Sequence, residues 1–153
     1  MNTMNELSHQ KLHRKGSTSK GSVIQERYSI DFWIDGVSLL LSLIEAFDGG
    51  HSDYMGLFVR GYSEDNKLAL AKLTLSAKPD SPSGRVLIYI CPECGDIGCG
   101  AFSVSIKRIS DGYIWEAFAF ENGYKEAYEI KGIGPFRFNL ENYESAIGAA
   151  AAL

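Results

Sequence analysis

Residues 85 to 120 constrain the fold more than any other stretch of the chain. Arg85 to Ile90 is a continuous apolar run, and after the segment Cys91 to Gly100 the residues Phe102, Val104 and Ile106 alternate with Ser103, Ser105 and Lys107. Ser110-Asp111-Gly112 then turns the chain into a third run, Tyr113 to Phe120. Apolar alternation with period two, broken by Gly-containing turns, specifies strands that pair with their neighbours. The stretch predicts an antiparallel meander. Strict alternation along its third strand places Tyr113, Trp115, Ala117 and Ala119 on one face and Ile114, Glu116, Phe118 and Phe120 on the other.

The flanking sequence supplies more strands and the helices. Tyr28, Ile30, Phe32 and Ile34 alternate with Ser29, Asp31, Trp33 and Asp35, the period of a half-buried strand. Ser38 is placed to cap a helix carrying Leu40, Leu43, Ile44 and Phe47 on one face, ended by Gly49 and Gly50. Ser63, followed by Glu64 and Asp65, opens a second helix to about Leu73. Phe136-Arg137-Phe138 reads as a short edge strand, and Asn139 with Glu141 opens a final helix through Tyr143, Ile147 and Ala150. The expected fold is α+β, an antiparallel meander sheet of about four or five strands with two or three helices on one face.

At 153 residues a single domain is expected, spanning 23–153. Residues 1–22 carry Lys11, Arg14, Lys15 and Lys20 against Glu6 alone, among Ser, Gly, Asn and Gln, and read as a disordered basic tail. A net charge of −4 argues against a dedicated nucleic-acid surface, which normally shows a basic stripe. The sequence contains neither the apolar core of a signal peptide nor an apolar span long enough for a membrane helix, so a cytoplasmic protein that makes no membrane contact is expected. An odd number of cysteines fits a reducing compartment.

All three cysteines lie in Cys91-Pro92-Glu93-Cys94-Gly95-Asp96-Ile97-Gly98-Cys99-Gly100. Cys91, Cys94 and Cys99 could hold zinc, because thiolates are soft ligands and the glycines let the backbone fold around an ion; a fourth ligand would have to come from Asp96, Glu93, His51, water or another chain. Equally, the cysteines could only pack within a Gly-rich hairpin. A redox role is the third reading, weakened because a reactive Cys-x-x-Cys normally opens a helix, whereas this chain returns as a strand. No nucleophile elbow, phosphate loop or dinucleotide fingerprint is present.

A second constellation lies just downstream. Glu121, Asn122, Tyr124, Glu126, Tyr128 and Glu129 follow the third meander strand, where aromatic anchors and carboxylates suit contact with a basic protein partner. The cysteine segment, with Trp115-x2-Phe118, Glu121-Asn122 and Gly134-Pro135-Phe136-x-Phe138, resembles an uncharacterised family of small bacterial proteins over roughly residues 84–145. Some members of that family carry an oxidoreductase label. As a small acidic α+β chain it is also similar in type to bacterial immunity proteins, which bind and block toxins. That likeness implies a non-enzymatic binding protein that masks a basic toxin surface; the alternative is a zinc- or thiol-dependent protein, an oxidoreductase included, centred on the cysteines.

Overall fold

A computed structural model describes residues 4–19, 21–47, 52–93, 99–123 and 125–153. In chain order the elements are β1 (Leu7–Arg14), β2 (Ser17–Ser19), β3 (Ser22–Ile24), β4 (Arg27–Ile34), β5 (Val37–Ser38), α1 (Leu39–Ala46), β6 (Met55–Gly56), α2 (Ser63–Leu73), β7 (Val86–Ile90), β8 (Ala101–Ile109), β9 (Gly112–Glu121), β10 (Tyr128–Glu129), β11 (Phe136–Asn139) and α3 (Leu140–Ala151). The fold is α+β. No described helix is long and apolar enough to cross a membrane.

The meander β7-β8-β9 is the centre of a larger sheet with strand order β10-β9-β8-β7-β6, in which β11 also pairs with β9. Alternation along β9 is not strict. Between Ser103 and Ser105 the β8 ladder skips from Ala119 to Glu116, so β9 carries one extra residue, and Ala117 takes a positive φ of 53° there. Ile106 therefore opposes Trp115 while Phe102 opposes Phe120. Because Phe102 and Ile106 share a face of β8, Trp115 and Phe120 share a face of β9, against the expectation from unbroken alternation.

A second sheet has the order β1-β4-β5. Here the expectation of a disordered tail over residues 1–22 is corrected: Leu7 to Arg14 pair residue for residue with Ile34 to Arg27, and Leu7 is buried. Only Leu7 and Leu12 are apolar in this strand, so its sequence carries no alternation; backbone pairing and docking hold it instead. Asn142 of α3 accepts from the Leu7 amide at 2.8 Å and donates to the Leu7 carbonyl at 3.0 Å, and the Asn5 amide donates to the Arg137 carbonyl at 2.6 Å. Beyond β1, the β2–β3 hairpin is exposed throughout its described residues.

The sheets meet where β6 runs under β4. A Cβ on Gly56 would lie 1.9 Å from the Ile30 carbonyl oxygen, so only glycine permits this approach. The core between them is aromatic: Phe32 meets Trp115 edge-on at 5.4 Å and Phe58 at 6.3 Å, and Trp115 meets Phe138 at 5.4 Å. Trp115 donates its indole N–H to the Tyr143 hydroxyl, which donates in turn to the Leu73 carbonyl at 2.6 Å, tying α3 and α2 to the sheet. Both outer caps follow their sequence signals, Ser38 accepting from the Leu41 amide and Asn139 from the Asn142 amide. Ser63 instead becomes the first helical residue of α2, and Tyr62 occupies the cap position without a side-chain bond.

Candidate functional site

The meander returns the chain so that the exit of β7, the entry of β8 and the exit of β9 lie at one end of the sheet. This brings the cysteine segment and the Glu121–Glu129 segment, far apart in their proposed chemistry, to the same place. Across that end the pairing aligns Tyr89 with Phe102, Phe102 with Phe120, and Phe120 with Tyr128. Directly opposed residues share a face, so four aromatic side chains form one row. Tyr89 and Phe102 are fully buried, Phe120 is half-buried, and Tyr128 on the edge strand β10 is 63% exposed.

Two further rings, neither of them among the expected site residues, thicken the row. Phe47, immediately after α1, stacks on Phe120 at 4.3 Å and meets Tyr128 edge-on at 5.5 Å. Tyr54, before β6, lies 4.8 Å from Phe102. A Cβ on Gly100 would come within 2.7 Å of Phe120, and Gly100 has a φ of 96°, so the last glycine of the cysteine segment lets the chain enter β8 against this ring. The helical period had assigned Phe47 to the α1 face, but no local signal says which distant rings it meets.

The inner end of the row is closed by hydrogen bonds. The Tyr89 hydroxyl donates to Asp31 Oδ1 at 2.6 Å and accepts from the Phe32 amide at 3.1 Å. Asp31 also accepts from Ser38 Oγ and from the Leu40 amide at 3.3 Å, so the carboxylate serves the first turn of α1 as well. Burial, then the negative charge of Asp31, pushes the Tyr89 phenol well above its ordinary range. Every group here is satisfied, which makes the network a structural one. The period of two places Asp31 on the polar face of a half-buried strand, whereas the structure buries it together with Ser29.

The acidic residues fare unequally. Glu121 is buried at 5% exposure and accepts from Ser81 and Ser83, which corrects the expectation that it faces a partner: both of its oxygens are taken up by the Ser81–Ser83 segment. Asn122 is half-buried and accepts from the Lys125 amide at 3.2 Å, a turn-forming bond. Tyr124 lies outside the described residues. Glu126 and Glu129 are exposed, and Glu129 sits 3.5 Å from Arg85, whose Nε donates to the Ala117 carbonyl at the β9 bulge. With Lys125 and Lys131 also exposed in this segment, the local field is nearly balanced.

On the cysteine side, Cys91 is a half-buried free thiol and Cys99 is disulfide-bonded, while Cys94 lies outside the described residues. A bonded Cys99 offers no thiolate to a metal in this state. Among the described residues no group of three His, Cys, Asp or Glu side chains is placed to hold an ion. Burial, and secondarily the Cys91 sulfur, push the Tyr54 phenol above its usual value. Arg14 of β1 fastens the approach to the turn: its guanidinium makes two bonds to Asp53, at 2.9 and 2.8 Å, and one to Glu93 at 2.9 Å. The Asp53 bonds lead in holding that guanidinium protonated.

Pro92 and Glu93 also border a groove of about 380 Å³ between α2 and the β6–β7 edge. Met55, Leu57, Leu68, Leu87 and Ile90 line it, and Lys72, paired with Asp80, closes one side. No protein-family model, curated protein or solved structure matches the chain.

Proposed function

We propose that this chain is a non-enzymatic binding protein of the bacterial immunity type, and that its protein partner docks on the end of the sheet that carries Tyr128. One observation carries the reading: a row of packed aromatic rings runs from the core to an exposed tyrosine on an edge strand. A tyrosine held by Phe47 and backed by Phe120 is pre-ordered, so a partner that buries it loses little side-chain entropy, and such anchors dominate interface energies. Although Lys125 and Lys131 balance the net charge of the segment, the exposed Glu126 and Glu129 carboxylates can pair with individual cations of a toxin surface, with Glu126 the larger contributor because Arg85 already neutralises part of Glu129. The test is co-expression with candidate toxins encoded beside the gene, followed by titration of the purified pair. Tyr128→Ala should weaken a verified complex at least tenfold, and Glu126→Lys should slow association at low salt; a complex indifferent to both substitutions would remove this surface from the account.

A second reading rests on Cys91. A free thiol within the same ten-residue segment as a bonded cysteine is suited to thiol–disulfide exchange, and reduction would release thiolates for zinc. Native mass spectrometry before and after reduction separates these outcomes. A zinc-sized adduct present only after reduction, and lost with Cys91→Ser, favours the metal; a mixed disulfide with a small thiol favours exchange.

A further inference from the structure

The β1–β4 pair gathers two cations and an imidazole around a single ring. Tyr28 of β4 has the His13 imidazole of β1 stacked on it at 4.4 Å and nearly parallel, the Arg60 guanidinium over the ring at 4.4 Å, and the Lys11 ammonium at 5.8 Å. Arg60 is fixed there by its backbone, whose amide donates to the Tyr28 carbonyl at 2.8 Å. Among the described residues the one carboxylate paired with this group is Glu26, which takes up His13 Nε2 at 2.9 Å. Among the described residues Lys11, Lys15 and Arg60 have no carboxylate within ion-pair distance, and all three are exposed. Arg14 does not join them, because Asp53 and Glu93 hold it elsewhere.

The net charge of −4 averages over this segregation. A ring quadrupole offsets only part of the repulsion among clustered cations, and an anionic ligand would relieve the remainder. Their arrangement indicates what kind of anion. Lys11 and His13 project from alternate residues of β1, about 6.6 Å apart, twice the rise of a strand residue, and Lys15 follows just past the end of the strand at Arg14. A polyanion whose charges repeat along a flexible backbone can reach the unpaired cations on β1, past its end and at Arg60 together. Cations tracking a backbone beside aromatic rings are also how single strands are held without sequence preference.

We propose that this face of the β1–β4 pair, bearing Lys11, His13, Tyr28 and Arg60 with Lys15 just past the end of β1, binds the phosphate backbone of single-stranded nucleic acid. The surface is separate from the one that carries Tyr128, and the inference stands or falls without it. The test is fluorescence anisotropy of a labelled mixed-sequence single-stranded oligonucleotide with the full chain across a range of salt. Three phosphates neutralised by Lys11, Lys15 and Arg60 predict a slope of log K on log salt of about −2, an affinity loss of about twentyfold between about 50 and about 200 mM. The Lys11→Ala/Arg60→Ala variant should bring the slope to about −0.7. Both side chains are exposed, so its melting temperature should match the parent, and Lys15→Ala, outside the ladder, gives an independent reduction if it does not. Absence of salt-dependent binding, a slope unchanged in the variants, or displacement of the oligonucleotide by polyglutamate at equal charge would each overturn the proposal, the last by assigning the face to an acidic protein.

Discussion

The two ends of the aromatic row use the same residue type in opposite ways. Tyr89 is wholly buried, and its hydroxyl is committed to Asp31 and the Phe32 amide. Tyr128, three strands away in the same register, is 63% exposed and packs through one edge against Phe47. A tyrosine whose polar tip is satisfied inside the protein contributes to folding and has nothing left for a partner. One whose ring is held while its surface faces water contributes little to folding and keeps its contact area for another molecule. The row thus grades from buried and hydrogen-bonded to exposed across four strands.

The sharpest way to break this contrast is at its inner end. Tyr89→Phe removes a donor from a buried carboxylate and an acceptor from the Phe32 amide, and should destabilise the fold by about 3 kcal/mol in chemical denaturation. Partner affinity of the folded protein should not change. Leu7→Ala should cost a similar amount, about 3 kcal/mol, by opening a cavity at the docked N-terminal strand; a cost near zero would return residues 1–22 to the status of a tail. At the outer end, Tyr128→Ala should shift the denaturation midpoint little yet weaken a verified complex by about 2 kcal/mol.

Alkaline titration probes the same contrast more gently. The Tyr89 phenol is raised well above its unfolded value, and that of Tyr143 is raised as well. Each favours the folded state while protonated. Their contribution is complete below about pH 10 and declines as pH rises beyond it, by at most about 1.4 kcal/mol per pH unit for each group. Tyr89→Phe should flatten that decline in urea titrations followed across the alkaline range.

The meander, the helix caps at Ser38 and Asn139 and the edge strand at Phe136 were legible because each is written in local chemistry: alternation, a capping oxygen, a turn. What local chemistry omits was not. The β9 bulge at Ala117 changes which rings share a face, and no residue pattern around Trp115 announces it. β1 looks like a tail because two apolar residues in eight give no period, although its backbone pairs along its whole length with β4. Glu121 looks like a surface carboxylate because the serines that bury it, Ser81 and Ser83, stand about forty residues upstream. Of the candidate site, Tyr128, Glu126 and Glu129 emerged from the sequence as outward residues, whereas Phe47 and Tyr54 required the tertiary structure.

The most direct test of the central claim is native mass spectrometry of the protein with a verified partner, comparing the parent with Tyr128→Ala and Tyr89→Phe at equal folded concentrations. The account predicts that the complex survives with Tyr89→Phe and is largely lost with Tyr128→Ala. Equal occupancy for the parent and Tyr128→Ala would contradict it, and would place the binding surface somewhere other than the open end of the aromatic row.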